Sequence, residues 1–69
     1  MQNDTLSGPE LAALRERCGI SQARLATLLG VARQTINRWE NGLTAISPIK
    51  VLAIRELTRR VLSDKEALP

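Results

Sequence analysis

The sequence predicts an all-α fold, a compact bundle of four to five helices. Three observations lead there. Apolar residues recur at spacings of three and four through most of the chain, and no segment shows the sustained alternation of a half-buried strand. Serines and glycines cut that pattern into short pieces, each with the start and stop chemistry of a helix. The chain has 69 residues, one domain at most. A domain of that size buries only about 60% of its unfolded surface, so one core must be shared by all the helices.

Met1 to Leu6 shows no periodicity and is expected to be a mobile tail (1–6), ahead of a domain spanning 7–63 and a second tail, 64–69. Ser7-Gly8-Pro9-Glu10 starts the first helix: Ser7 suits the N-cap, Pro9 tolerates the first turn, and Glu10 completes a capping box. Leu11, Leu14 and Cys18 share one face, and Gly19 stops the helix, giving roughly 9–18. Ser21 caps the second helix, 22–29, with Leu25, Ala26 and Leu29 on one side and Gly30 in the turn. Ala32 to Glu40 forms the third, closed by Asn41-Gly42. Placed at ~100° per residue, Ala32, Ile36 and Trp39 fall within roughly 60°, while Arg33, Gln34, Asn37 and Arg38 span about 140° on the opposite side. Ser47-Pro48 opens the last helix after a loop at 43–46. No Gly or Pro interrupts Ile49 to Leu68, so it runs to about Ser63, as one helix or two. Its apolar set (Ile49, Val51, Leu52, Ile54, Leu57, Val61, Leu62) is wider than one core stripe needs. Leu52 and its neighbours are expected to close the core.

Composition excludes several functions. There is no histidine, so the commonest general base and metal ligand are absent. The single cysteine allows neither an internal disulfide nor, without His, a zinc site; Cys18 is expected to be a buried small hydrophobe. No phosphate-binding glycine loop and no nucleophile–base pair occur, so the chain is expected to be no enzyme and to need no cofactor or metal. Strictly apolar runs such as Val51 to Ile54 reach only four residues, far below the ~20 of a membrane span, and the polar first ten residues are expected to carry no secretory signal. A cytoplasmic protein is expected. Net charge is +3, and eight of the ten cations are arginine, suited to bidentate contact with phosphate or base edges. From Arg17 to Trp39 there are four arginines and no acid. That clustering fits a polyanion binder, although charge alone fits a solvated basic face equally well.

Two short helices joined by a glycine turn, the second exposing hydrogen-bonding side chains, make a helix-turn-helix. An α-helix fits the DNA major groove, where Arg pairs with guanine O6/N7 and Gln or Asn with adenine N6/N7. Arg33, Gln34, Asn37 and Arg38 are therefore the candidate base-reading residues. Gln22 opens the second helix, where free N–H groups and the helix dipole favour phosphate.

The run from Ser21 to Gly42 resembles the phage repressor and Cro-type helix-turn-helix family, the xenobiotic response element-like transcriptional regulators. The likeness rests on Gln22, Leu25-Ala26, Gly30, Ile36 and Trp39-Glu40-Asn41-Gly42, and extends over about 11–57. It implies a lambda repressor-like DNA-binding fold, with the same four residues facing bases and Gln22 and Asn41 on the DNA backbone; Thr35 and Thr44 are further phosphate candidates. It also implies an ion pair between Arg15, four before Gly19, and Glu40. One departure is Ala32, where many relatives carry a Ser or Thr N-cap; alanine loses that cap, worth about 1 kcal/mol.

A reading head this small gains affinity by pairing. The expected partner is double-stranded DNA, as a (pseudo)palindromic operator read by a homodimer. The surplus apolar residues Ile54, Leu57, Val61 and Leu62 are the candidate dimer or partner face, with intrachain core as the equal alternative. The resemblance points to sequence-specific transcription control of repressor type. The other class to weigh is a protein-interaction module on the same scaffold, such as an antitoxin that binds a toxin.

Overall fold

A computed structural model describes residues 5–67 of the chain, with side chains described through residue 65. Four helices follow one another: α1 (Gly8–Cys18), α2 (Gln22–Leu29), α3 (Arg33–Glu40) and α4 (Pro48–Ala67). No strand occurs among the described residues.

The ends follow from local chemistry. Ser7 Oγ accepts the Glu10 N–H at 3.2 Å while Glu10 Oε1 accepts the Ser7 N–H at 2.8 Å, a complete capping box. Ser21 Oγ accepts the Arg24 N–H at the head of α2. Ala32 stands at the N-cap of α3 with no side-chain bond, so this helix starts without that support. Between α2 and α3 the chain reverses at Gly30, whose φ is 72°. There the Val31 and Gly30 N–H groups bond back to the Ala26 and Thr27 carbonyls, a Schellman turn that a Cβ would strain.

The core joins Leu6, Leu11, Leu25, Ala26, Ile36, Trp39, Val51 and Ile54, with Leu14, Ile20, Leu29, Val31, Ile46 and Leu57 packed against it. Cys18 is buried beside α4, its thiol 3.8 Å from the Thr58 carbonyl, and burial pushes the thiol pKa up, as befits an inert core residue.

Four sequence expectations are corrected. Leu6, assigned to the leading tail, is buried in the core, because the approach to α1 carries it over the bundle. α4 is one helix and continues to Ala67, so residues 64–67 are helical; nothing in this stretch breaks it, and Lys65 Nζ donates to the Arg17 carbonyl at 3.1 Å, tying its far end to α1. Ile54, offered as an interface residue, is fully buried and belongs to the core. Leu52, offered as core, is exposed; Val51 and Ile54 close the core instead. The rest of the two tails, 1–4 and 68–69, lies outside the described residues.

Gly8 has a role that its sequence context does not announce. It is buried, and a Cβ there would lie 2.6 Å from the Trp39 carbonyl oxygen and nearer still to that of Glu40. Both obstacles are backbone and cannot rotate away. The start of α1 thus lies flush against the end of α3. Alanine favours a helix over glycine by up to about 1 kcal/mol, but overpacking here costs about 1–3 kcal/mol. Gly8→Ala is expected to lose stability on balance in urea unfolding; a gain would mean that the two helix ends are not in close contact.

Candidate nucleic-acid interface

α2 and α3 pack across Gly30 with Leu25, Ala26, Ile36 and Trp39 between them. The 3% exposure of Ala26 shows why a small residue is needed at the crossing. Because α3 turns Ile36 and Trp39 inward, its opposite side must face solvent. Arg33, Gln34, Asn37 and Arg38 are all exposed there and together line a shallow hollow of about 290 Å³. The four base-reading candidates thus share one surface.

The charge on that surface is not cancelled. Among the described residues, Arg24, Arg33 and Arg38 make no ion pair. The arginines that do are elsewhere: Arg59 and Arg60 both hold Glu56 on α4, and Arg15 holds Glu40. The positive field is therefore left standing over the α2–α3 face.

Beneath this face a polar knot locks α1, α2 and α3 together. Arg15 Nε lies 2.7 Å and Nη2 3.2 Å from the two Glu40 oxygens, a bidentate pair, and Nη1 donates to the Ile20 carbonyl at 3.0 Å. Gln22 Nε2 donates to Glu40 Oε1 at 3.0 Å. Burial pushes the Glu40 carboxyl up, but the Arg15 guanidinium and the Gln22 amide outweigh it and hold the group below the usual carboxylate range. Hydrogen bonding to Glu40 raises the Arg15 pKa in turn.

The phosphate candidates divide. The Gln22 amide nitrogen gives one N–H to Glu40 and keeps a second donor, and the first N–H groups of α2 lie beside it; Ser21 takes only the Arg24 N–H. Asn41 directs its amide nitrogen to the Asn37 backbone carbonyl at 3.0 Å and to the Asn37 side-chain oxygen. Thr44 is exposed in the loop after α3, and Thr35 is half-buried. Sequence reasoning did not connect Gln22 to Glu40 or Asn41 to Asn37. The second link has a visible signal, since two asparagines four apart face each other along a helix.

Of the four residues offered as an interface, Leu57, Val61 and Leu62 are half-buried and Ile54 is core. Among the described residues the exposed large apolar side chains are Leu28, Leu43, Ile49 and Leu52. Among the described residues no helix is long and apolar enough to cross a membrane, and no cluster of His, Cys, Asp and Glu could hold a metal ion.

A profile of the helix-turn-helix family matches residues 11–61, which span α1 through most of α4. The chain belongs to this helix-turn-helix family. Two relatives are provisionally named HTH-type transcriptional regulatory proteins. One, from Pyrococcus horikoshii, is 36% identical over 52 residues, 75% of this chain and 16% of its own length. Another, from Halorubrum lacusprofundi, is 49% identical over 41 residues, 59% of this chain and 13% of its own. The chain thus spans less than a fifth of the length of these relatives. No solved structure gives a significant match.

Proposed function

We propose that this helix-turn-helix chain is the DNA-reading head of a cytoplasmic transcriptional regulator, of repressor type, that places α3 in the major groove. One observation carries the reading: Arg33, Gln34, Asn37 and Arg38 stand exposed on one side of α3, with the two arginines in no ion pair among the described residues. A helix with such a row fits the groove and meets base edges there. Gln22, Asn41, Thr35 and Thr44 are the candidates for holding phosphates around it, and they set register rather than sequence. The names of the two relatives support the regulatory part. No catalytic residue, cofactor or metal enters this function.

Two copies on a (pseudo)palindromic operator would supply the affinity that one head lacks, with half-sites about 34–36 Å apart. Ile49 and Leu52, three apart on the outer face of α4, and Leu43 in the preceding loop offer exposed apolar surface for that pairing. The same surface supports the second reading, an antitoxin whose partner is another protein. Salt separates the two activities: phosphate contacts weaken steeply as salt rises, whereas an apolar interface does not.

Titration of the protein with duplexes recovered from a random-oligonucleotide selection tests the proposal. Arg33→Ala and Gln34→Ala are each expected to lose about 1–3 kcal/mol of discrimination at one or two base pairs while folding normally. Unchanged base preference in both variants would remove α3 from the groove.

A further inference from the structure

Resting on the reading of Gln22 as a holder of DNA phosphate, we propose that Glu40 is a positioning residue: it takes one N–H of the Gln22 amide, holds the other ready for the phosphate, and so ties that hold to the base-reading helix. Gln22 is the first residue of α2 and Glu40 the last of α3. An ionised carboxylate only accepts, so the Gln22 atom 3.0 Å from Glu40 Oε1 is its nitrogen. The contact thus settles which end of the carboxamide faces Glu40, a choice that a free amide leaves open. Glu40 is itself held fast. Arg15 binds both of its oxygens and is anchored in turn on the Ile20 carbonyl. The same guanidinium and the Gln22 amide keep the carboxyl ionised at neutral pH.

A glutamine at an open helix end rotates freely and loses that freedom when it takes hold of a phosphate oxygen. Gln22 has lost it beforehand, because Glu40 fixes the far end of its side chain. Its second N–H then lies ready beside the first backbone N–H groups of α2, which have no partner within the helix. Charge alone argues against an acid at this place, since an anion beside a phosphate repels it. Arg15, 2.7 Å away, offsets that charge and leaves Glu40 its value as a fixed acceptor. Glu40 also belongs to the helix that carries Arg33, Gln34, Asn37 and Arg38. Through it the phosphate hold keeps a set distance from the base readers, which is how backbone contacts define register.

The test is titration of the whole chain, Gln22→Ala, Glu40→Gln and the double variant with duplexes recovered by random-oligonucleotide selection and with single-base variants of them, under conditions where circular dichroism shows each protein folded. Gln22→Ala is expected to weaken all these duplexes evenly, by about tenfold, the size of one hydrogen bond to a charged group. Glu40→Gln is expected to weaken them evenly by about three- to tenfold, although it removes an acid and makes the protein more positive. In the Gln22→Ala background the same change should weaken binding no further, since it acts only through Gln22. Glu40→Asp keeps the charge but shortens the reach; it replaces Glu40→Gln in the cycle if that variant does not fold, with the same pattern expected. Tighter binding by Glu40→Gln with Gln22 in place would make the carboxylate a source of repulsion and overturn the proposal. So would a loss that persists in full without Gln22, which marks a purely structural role, or a Gln22→Ala variant that binds unchanged or fails at one base pair alone. An unaltered protein that binds no duplex would overturn the DNA reading itself, a different failure from missing coupling between Gln22 and Glu40.

Discussion

Glu40→Ala is expected to lower the unfolding free energy by about 3 kcal/mol, the lower edge of the range for breaking a buried ion pair. The carboxylate side chain is 8% exposed and its partner guanidinium 15%, so the pair lies far from the open-surface case, where loss costs under about 1 kcal/mol. What the alanine leaves behind decides the size. Arg15 retains the Ile20 carbonyl but loses both carboxylate oxygens, and the Gln22 amide loses its acceptor. A charge that stays sheltered without its counterion costs more than the pair itself contributes. Arg15→Met combined with Glu40→Leu is accordingly expected to cost less than Glu40→Ala alone. The pH dependence has a definite sign. The folded-state pKa of Glu40 is lowered, so its contribution is fully present above the unfolded value, about 4.3, and is lost as pH falls through the lower folded value. Glu40→Ala should lack that part of the acid sensitivity. Urea unfolding at neutral pH and down a series of acid buffers measures both effects. A loss under 1 kcal/mol at neutral pH, with unchanged acid sensitivity, would reduce the knot to a surface contact.

The sequence was most legible where local chemistry and packing agree. Ser21 and Gly30 bound α2 because a hydroxyl cap and a left-handed turn each need a particular residue, and the narrow stripe of Ile36 and Trp39 leaves one orientation for α3. The resemblance pairs Arg15 with Glu40, and those side chains meet at 2.7 Å. Legibility fails on α4. Its apolar residues cover so wide an arc that periodicity cannot say which side turns inward; that depends on where α1 lies, a tertiary fact. Hence Leu52, expected in the core, is exposed, and Ile54, left open between interface and core, is core. Gly8 and Leu6 fail for a related reason. A glycine pressed against two carbonyls has no side chain to enter a pattern, and a lone leucine before a cap looks the same whether it is covered or free. The link from Gln22 to Glu40 was hidden for another reason: Gln22 already had a phosphate role, and nothing in the spacing shows that its amide spends a donor inside the protein; the spacing of four between Asn37 and Asn41 was visible but was passed over for a phosphate role.

Trp39→Ala is expected to remove about 3–5 kcal/mol, a loss on the scale of the whole stability of a domain this small. The reason lies in α3 itself. Eight residues are too few to hold a helix in water, and this one has no side-chain N-cap. Ile36 and Trp39 are its only buried residues among those described, so the indole is one of two anchors holding it to the bundle. Removing it should unfold much of the population at 25 °C and weaken apparent duplex binding in proportion, although Arg33, Gln34, Asn37 and Arg38 are all unchanged. Trp39→Phe, which keeps an aromatic ring in the core, should retain most of the helicity. Circular dichroism is the suitable probe, because Trp39 is the sole tryptophan and its fluorescence disappears with it. Duplex at about a hundred times its dissociation constant for the folded form should restore about 2.7 kcal/mol and recover part of the helicity. That recovery separates a helix that is present but misshapen from one that has come loose: a loosened α3 can be drawn back by its ligand, and the affinity then measures how often it is in place. Full helicity with a loss under 1 kcal/mol would show that α3 is held by something other than its apolar stripe.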